Sequence, residues 1–282
     1  MGALDAIEWQ ACMLEPVRNR EAERYLRRTT GMVSPLARYF LDSPWVVHAL
    51  GQLDVGCVPL RHVDPSLASM IALVVSQDNS CRFCYAATRG VLQILGFPEA
   101  RIRGLEDGFL GAEFTPLQRA ALDLARSISR AAPLCSRDAA RPLLDAGGTP
   151  GLAQEVAYLA ACNVFFNRIS TLAALPPADT EGLASRWWIR LLRPLIASRV
   201  RNPVATAPTP LQPAQRLGLY ADFVNALDGL PAAPRLRAVL DDAWDAPLLP
   251  RRLKALVFAV VGRGLGCALS EAEASQALQG EG

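Results

Sequence analysis

Apolar residues recur at helical spacing through much of the chain. Leu117, Ala121, Leu124 and Ile128 lie at positions i, i+4, i+7 and i+11, which puts them on one face of a helix. Residues 115–118 read Thr-Pro-Leu-Gln, and they join a capping box to a proline at the first helical position. This pattern predicts a helix that begins at that proline.

Two more helices are marked by their ends. Thr149-Pro150 begins one of them. Residues 136–146 lie before it and end at Gly147-Gly148, a pair that suits the left-handed end of a helix. The stripe that follows Pro150 at helical spacing consists of Leu152, Val156, Leu159, Asn163 and Phe166.

Residues 68–75 are almost wholly apolar, as a buried strand or a buried helix would be. The alanines in this run and its direct continuation toward Cys81 favour the helix. A second run, from Cys84 to Leu95, is closed by Gly96-Phe97-Pro98, which is a helix stop signal. No stretch shows the two-residue alternation of a half-buried strand, so the sequence predicts an all-α fold.

Composition and charge exclude several classes of protein. The 282 residues are 51% hydrophobic and 20% charged, which indicates a globular protein rather than a disordered one. The net charge of +2 gives no sign of nucleic acid or an anionic membrane as a partner. No apolar run reaches the roughly 18 residues of a membrane span, and the early acids Asp5 and Glu8 do not suit a signal peptide. We expect a cytoplasmic protein.

The composition changes between about residues 174 and 215. Residues 175–179 and 202–213 are rich in proline and poorly periodic, as linkers are. Between them, residues 186–193 read RWWIRLLR, a basic and aromatic stretch that could touch a membrane surface. Packing of this helix between two domains is the alternative. We favour the packing, and expect no membrane partner.

The seven cysteines lack the spacing of a disulfide framework, since only Cys81 and Cys84 are close in sequence. In a reducing compartment such a pair is typical of redox or metal chemistry. Structural zinc needs four Cys or His ligands, and the two histidines, His48 and His62, lack ligand spacing. We expect no metal and no cofactor, although zinc binding and a chance pair of buried cysteines stay open. Three cysteines are interpreted as small buried hydrophobic residues: Cys57, Cys135 and Cys162.

Two cysteines three residues apart on a helix lie on one side of it, one turn from each other. Asn79 or Ser80 is predicted to cap this helix. Such a start places Cys81 in the first turn, where the positive end of the helix dipole stabilises a thiolate and Arg82 adds to the field. A thiolate would cleave a peroxide to leave a sulfenic acid, and the partner cysteine would condense with it to form a disulfide. An external thiol would then reduce the disulfide.

The residues around this pair resemble a known family. Residues 76–87, which read SQDNSCRFCYAA, are similar to the core of AhpD-like alkylhydroperoxidases and carboxymuconolactone decarboxylases. Residues 122–126 (LDLAR) and 161–168 (ACNVFFNR) are similar to later parts of that core. The resemblance covers about residues 35–172 and recurs more faintly over residues 245–275.

An apolar run precedes a cysteine by the same interval in residues 68–75 before Cys81 and in residues 254–261 before Cys267, which indicates a partial second copy of one helical unit. The resemblance implies that the unit is the core of an AhpD-like helical bundle that assembles into homo-oligomers. We accordingly divide the chain into an AhpD-like domain (1–173), a proline-rich linker with a Trp/Arg helix (174–215) and a partial second unit (216–282). The AhpD branch of the family implies peroxide reduction, with Cys84 attacking and Cys81 resolving. The chemistry of a helix start argues for the reverse order.

The chain departs from the family where the family has a proton relay. Family sites have a glutamate twelve residues before the first cysteine and a histidine four residues after the second, and this chain has Ser69 and Thr88 there. In the second copy Ala255 stands at the glutamate position, and Ser270, which fits a helix cap, stands at the second cysteine. General acid–base assistance is typically worth about 10²–10⁴ in rate, so the dithiol would need other help.

Supporting roles are predicted for a few neighbours of the dithiol. Tyr85 could donate a hydrogen bond to a sulfur or to a substrate. Asn163 and Asn167, four residues apart, either line a pocket near the dithiol or satisfy buried backbone groups, and we favour the second role. The candidate supporting residues at the dithiol are Arg82, Tyr85, Thr88 and Ser69.

We therefore predict a thiol-dependent oxidoreductase that reduces a small-molecule hydroperoxide through a Cys81/Cys84 dithiol–disulfide cycle. Its partners would be that substrate, an external thiol reductant and other copies of the chain, with no nucleic acid. The alternative is a non-catalytic AhpD-like scaffold or binding protein that lost the proton relay. A third interpretation is a small-molecule enzyme that uses the helical pocket but not the cysteines.

Overall fold

A computed structural model gives the fold. It describes residues 4, 7–54, 56, 58–109, 114–131, 137–185, 187–200 and 203–280, without the side chains of residues 181, 183, 185, 190, 191, 193, 199 and 200. The α-helices in this part of the chain are α1 (Arg20–Thr30), α2 (Pro44–Leu53), α3 (Pro65–Asp78), α4 (Arg82–Ile94), α5 (Glu99–Glu106), α6 (Pro116–Arg130), α7 (Arg141–Asp145), α8 (Pro150–Leu172), α9 (Thr180–Ser185), α10 (Trp187–Val200), α11 (Ala221–Asn225), α12 (Ala232–Asp245), α13 (Arg251–Gly264) and α14 (Ala268–Gly280). The same residues form no strand, so the predicted all-α fold is confirmed.

Two predicted helix starts are confirmed. At α6 the Thr115 hydroxyl accepts the backbone N–H of Gln118, and the Gln118 side chain accepts the backbone N–H of Thr115. Pro116 occupies the first helical position. At α8 the Thr149 hydroxyl accepts the N–H of Leu152. These side chains satisfy N–H groups that have no partner within the helix.

Glycines follow two helices at the predicted positions. Gly96 after α4 has φ 93°, and Gly147 after α7 has φ 89°. Glycine adopts this left-handed backbone without the steric cost of a β-carbon. The predicted helix over 136–146 is shorter, because a 3₁₀ turn (Arg137–Ala140) leads into α7 and residue 136 lies outside the described residues.

Helix α3 lies at the centre of the fold. It packs against α4, α6 and α8, and Ile71, Leu73, Val74 and Val75 are 0% exposed. A helix that is covered on all sides is apolar all round, which explains why residues 68–75 have no polar face. Burial of each of these side chains stabilises the fold by about 1.5–3 kcal/mol. The end of α3, from which the chain turns into α4, is therefore held firmly.

A buried carboxylate ties the segment before α3 to the start of α8. Glu155, which is 1% exposed, accepts three backbone N–H groups from residues 61–63 over 2.7, 2.7 and 2.8 Å. These charge-assisted hydrogen bonds replace the water that the carboxylate loses on burial. The ring of His62 lies here, so close to Gly151 that a β-carbon at Gly151 would stand 2.4 Å from the ring.

The segment predicted as a linker contains two helices that pack on the first domain. Both α9 and α10 contact α4, and a β-carbon at Gly90 would stand 2.6 Å from the side chain of Thr180. Ile189 and Ala197 form the buried side of α10, whereas Trp187 is 74% exposed. Across the described residues, no helix is long and apolar enough to cross a membrane.

The buried core runs across the boundary predicted at residue 215. Leu211, Leu230 and Ala233 belong to the same buried cluster as the residues of α3. Helix α12 packs against α2, where Nδ1 of His48 lies 3.1 Å from the carboxylate of Asp242. The division of the chain into three parts stays a prediction, and the packing shows one continuous core up to α12.

The hairpins α3–α4 and α13–α14 turn in the same way. The backbone N–H groups of Cys81 and Cys267 each donate to the carbonyl five residues earlier, over 3.0 and 2.8 Å. The residue before each cysteine is left-handed, with φ 50° at Ser80 and φ 65° at Gly266. The surroundings differ: α3 is covered by other helices, whereas α13 leaves apolar side chains such as Val260 (72% exposed) at the surface.

Candidate functional site

The dithiol lies where α3 ends and α4 begins. Asn79 ends α3, and its side chain donates to the carbonyl of Val75 over 2.9 Å. Ser80 follows in left-handed backbone. Cys81, with φ −87° and ψ 93°, is the N-cap of α4. The predicted cap at Asn79 or Ser80 is wrong, because an N-cap needs extended backbone and this conformation is first reached at Cys81.

Cys81 caps the helix with its sulfur. The backbone N–H of Cys84 donates to Sγ of Cys81 over 3.4 Å, as it would to the hydroxyl of a capping serine. The side chain of Cys81 is 1% exposed, and that of Cys84 is half-buried. Both are free thiols one helical turn apart. The turn between α3 and α4 thus places a pair of thiols at a helix start.

The two thiols differ in acidity. When Cys81 is ionised, the thiol of Cys84 can donate to its sulfur, and this hydrogen bond lowers the pKa of Cys81; burial opposes this effect, and the Cys84 N–H and the hydroxyls of Thr171 and Ser170 add to it. The same contact raises the pKa of Cys84 well above its ordinary value, together with burial and the negative charge on Cys81. A thiolate therefore forms first on Cys81. This order follows the chemistry of the helix start and is the reverse of the one the family implies.

Two hydroxyls of α8 complete the surroundings of the sulfurs. The thiol of Cys84 donates to Oγ of Ser170 over 3.6 Å, and Ser170 is 1% exposed. Thr171 lines the same cavity as Cys81. The sequence reasoning missed both hydroxyls. Ser170 could have been found from its spacing, because it lies three residues after Asn167 and on the same side of the helix.

Arg82 joins three segments beside the dithiol. Its guanidinium donates to the carbonyls of Ala174 and Leu175, each over 2.8 Å. It also donates to the carbonyl of Gln10 over 3.2 Å, and it lies 4.9 Å from the centre of the Trp9 ring. Arg82 therefore holds the carbonyls just after α8, together with the N-terminal segment, against the start of α4. The contribution of Arg82 to the field at the thiolate stays a prediction.

A cavity of about 230 Å³ opens beside Cys81. One wall is the N-terminal segment 7–13, which is held by a hydrogen bond from the N–H of Met13 to the carbonyl of Ala173 over 3.0 Å. Most of the lining is apolar, and it includes Ile7, Trp9, Met13, Phe83, Leu172 and Leu175. The cavity therefore suits a small molecule with an apolar part, and the buried Cys81 forms part of its wall.

Tyr85 does not serve the sulfurs. Its hydroxyl donates to the carboxylate of Glu106 over 2.6 Å, and Nε of Arg89 donates to the same oxygen over 2.7 Å. Arg89 also pairs with Glu99. A phenol has one proton to donate, so the predicted hydrogen bond from Tyr85 to a sulfur is not formed. The side chain instead helps to hold α5 on α4.

The two positions of the family's relay hold Ser69 on α3 and Thr88 on α4. The hydroxyl of Ser69 donates to the carbonyl of Pro65 in its own helix over 3.0 Å. Thr88 is half-buried on α4, one turn after Cys84. A serine that bonds its own backbone does not carry protons between partners, so Ser69 does not replace the family glutamate.

His62 lies far from the dithiol. It stands against Gly151 in the first turn of α8, whereas Ser170 in the last turn contacts Cys84. Positions 151 and 170 are about 28 Å apart along a helix that rises 1.5 Å per residue. His62 therefore does not reach the dithiol.

Asn163 and Asn167 are buried in α8 and satisfy neighbouring groups. Nδ2 of Asn163 donates to the carbonyl of Leu159 over 2.8 Å. Oδ1 of Asn167 accepts the hydroxyl of Ser76 over 3.3 Å. These contacts support the structural role that the sequence favoured.

Cys267 is the counterpart of Cys81 in the second hairpin. The hydroxyl of Ser270 donates to Sγ of Cys267 over 3.3 Å. This contact, with the backbone N–H groups of Ser270 and Leu269, lowers the pKa of Cys267. Helix α14 begins at Ala268, so Ser270 lies inside the helix and the predicted cap at Ser270 is wrong.

The remaining cysteines lie apart from this chemistry. Cys162 is buried, as predicted, and burial raises the pKa of its thiol to about 12. Cys12 is exposed, and Cys57 and Cys135 lie outside the described residues. In the described part of the chain, no three His, Cys, Asp or Glu side chains converge as a metal site requires.

Comparisons with known proteins bear on the fold. No family model matches the chain, and no curated protein matches its sequence. A solved structure described as the alkylhydroperoxidase AhpD core, an uncharacterized peroxidase-related protein from Ralstonia eutropha JMP134, is similar with a TM-score of 0.53 and 19% identity. The match covers 63% of this chain and 98% of that one. The chain therefore has an all-α, AhpD-like fold, and at this identity the likeness extends to the fold alone.

Proposed function

We propose that the protein is a thiol-dependent oxidoreductase that reduces a hydroperoxide, with Cys81 as the attacking thiolate and Cys84 as the resolving thiol. The observation that carries the proposal is the sulfur of Cys81 at the N-cap of α4, where it accepts the N–H of Cys84. A sulfur in this position is stabilised as a thiolate by the helix start. The AhpD-like fold supports the proposal at the level of architecture.

The reaction divides into two covalent steps. The thiolate of Cys81 attacks the terminal oxygen of the hydroperoxide, the O–O bond breaks, and the products are a sulfenic acid on Cys81 and an alcohol that has taken up one proton. Cys84, as the thiolate, then attacks the sulfenic sulfur, an S–S bond forms, and hydroxide leaves. Two electrons pass from the dithiol to the peroxide. An external thiol returns them and regenerates both cysteines.

Thiol counting tests this proposal. One equivalent of tert-butyl hydroperoxide should remove two titratable thiols per chain, and dithiothreitol should restore them. The double variant Cys81→Ser/Cys84→Ser keeps the exposed Cys12 and so reports the background oxidation of other thiols. A double variant that consumes hydroperoxide as fast as the parent would show that the dithiol is not the site.

The substrate and partners belong to the same proposal. The mostly apolar cavity beside Cys81 favours an organic hydroperoxide as substrate. A thiol reductant in the cytoplasm would complete the cycle, and the proposal includes no nucleic acid, membrane or cofactor. This chain lacks the glutamate and histidine of the family. Its rate of peroxide reduction is therefore expected to be lower by a factor of up to about 10²–10⁴, unless another group moves protons.

Self-association of the chain is also proposed. Large apolar side chains of α13 are exposed to solvent, and they include Leu253, Leu256, Val257, Val260 and Val261. Apolar surface of this extent is typical of an interface. Light scattering on a size-exclusion column should give a mass above that of the 30.4 kDa chain, and Val260→Asp should lower it. A parent that elutes as a monomer would contradict this part of the proposal.

A further inference from the structure

One buried hydroxyl, that of Ser170, lies beside the dithiol. Oγ of Ser170 accepts the hydrogen bond of the Cys84 thiol over 3.6 Å, and Ser170 lines the same cavity as Cys81. It comes from the last turn of α8, whereas both cysteines belong to the start of α4. Because Ser170 is 1% exposed, bulk water has little access to the place that it fills.

We infer that Ser170 is the proton relay of this dithiol, in the role that Ser69 and Thr88 have lost from the family pattern. A hydroxyl can accept one hydrogen bond and donate another at the same time, and Ser170 contacts the Cys84 thiol from the wall of the cavity beside Cys81. The inference rests on the proposed hydroperoxide chemistry and names the group that moves its proton.

The relay acts in the first covalent step. As the thiolate of Cys81 takes the terminal oxygen, the leaving alkoxide needs a proton. Ser170 donates its hydroxyl proton to the alkoxide and receives the thiol proton of Cys84 in exchange. The products are the sulfenic acid on Cys81, the neutral alcohol and the thiolate of Cys84. This thiolate is the form that the second step requires, so one proton transfer serves both steps.

Other polar side chains near the dithiol do not have this geometry. The hydroxyl of Ser69 bonds its own helix, and that of Tyr85 bonds Glu106. Thr171 and Ser170 both line the cavity beside Cys81, but the hydroxyl that contacts the Cys84 thiol is that of Ser170.

Two oxidants with different leaving groups test the relay. The tert-butoxide that leaves tert-butyl hydroperoxide needs a proton, whereas the acetate that leaves peracetic acid does not. Ser170→Ala should slow single-turnover disulfide formation with tert-butyl hydroperoxide by about tenfold or more, and it should leave the rate with peracetic acid within about twofold. Ser170→Thr, which keeps the hydroxyl, should restore most of the lost rate.

The matched control is Ser76→Ala, because Ser76 is another buried serine whose hydroxyl contacts Asn167 and not a sulfur. It should leave both rates unchanged. If Ser170→Ala slows both oxidants equally, or neither, the relay is overturned while the proposed function stands. If the parent forms no disulfide with either oxidant, the proposed function is overturned and the relay with it.

Discussion

The backbone N–H of Cys84 donates to the sulfur of Cys81 over 3.4 Å, so that the first cysteine of the pair is the N-cap of the helix that carries the second. The sulfur of Cys81 thus accepts a hydrogen bond at the positive end of α4, whereas the thiol of Cys84 is a hydrogen-bond donor. The asymmetry follows from backbone geometry, because the left-handed Ser80 delays the helix start until Cys81.

The first prediction concerns alkylation of the two thiols. Because the pKa of Cys81 is lowered and that of Cys84 is raised, iodoacetamide should modify Cys81 first, with a pH midpoint below the ordinary value of about 8.5. Peptide mapping by mass spectrometry separates these sites from Cys12 and Cys267. Cys84→Ala removes the largest contribution, the thiol hydrogen bond, and should move the midpoint of Cys81 upward. An unchanged midpoint in that variant would contradict the assigned cause.

Much of the fold could be predicted from the sequence, because the signals for helix starts and buried runs come from neighbouring residues. The capping box at Thr115 and the proline after Thr149 involve neighbours only, and both helices begin where predicted. The apolar run 68–75 follows from burial on every side, which composition reports directly. The CxxC spacing located the dithiol for the same reason.

The surroundings of the dithiol depend on contacts between distant parts of the chain, which spacing does not report. Ser170 lies 86 positions from Cys84, and the carbonyls that Arg82 binds at α8 lie 92 and 93 positions away. The cap was misplaced because Ser80 adopts a backbone that serine rarely adopts. A serine just before a helix usually has an extended backbone and caps the helix, which is why the sequence predicted a cap there.

Ser80 and Gly266 provide a matched pair for the cost of that backbone. Both are left-handed at the same point of their hairpins, with φ 50° and φ 65°. Ser80→Gly should raise the free energy of unfolding by about 0.5–1 kcal/mol, and Gly266→Ser should lower it by a similar amount. Urea denaturation measures both changes. A β-carbon at Gly266 would meet no neighbouring atom within 4 Å, so the cost of Gly266→Ser comes from the backbone alone. Two changes of the same sign would contradict this account.

Arg82 provides a test of the link between α8 and the dithiol. Arg82→Met keeps most of the apolar stem but leaves the carbonyls of Ala174 and Leu175 without their charged donor. The free energy of unfolding should fall by about 2 kcal/mol, and the alkylation midpoint of Cys81 should rise. Arg24→Met on the exposed side of α1 is the control, expected within about 0.5 kcal/mol of the parent. A parent-like Arg82→Met would show that the contacts at α8 contribute little.

Alkaline pH should destabilise the fold through Cys162. Burial raises the pKa of this thiol to about 12, whereas a cysteine in the unfolded chain ionises near about 8.5. Between these values the unfolded state binds fewer protons than the folded state, so the free energy of unfolding falls as pH rises. The slope from this group approaches about 1.4 kcal/mol per pH unit.

Urea denaturation at several pH values from about 8 to 10 measures that slope. Cys162→Ala should make the slope shallower, since the variant has no buried thiol at this position to keep neutral. Cys12→Ala changes an exposed thiol and should leave the slope unchanged. Equal slopes in the parent and Cys162→Ala would show that the thiol ionises alike in both states.

The most direct measurement locates the sulfenic acid. In Cys84→Ser, one equivalent of tert-butyl hydroperoxide should leave a sulfenic acid on Cys81, because the resolving thiol is absent, and dimedone should trap it at that residue in a peptide map. In Cys81→Ser, trapping at Cys84 should be slow, since burial and the altered neighbour keep that thiol protonated. Rapid trapping at Cys84 with none at Cys81 would reverse the assigned order, and trapping at neither would contradict the dithiol as the site of peroxide reduction.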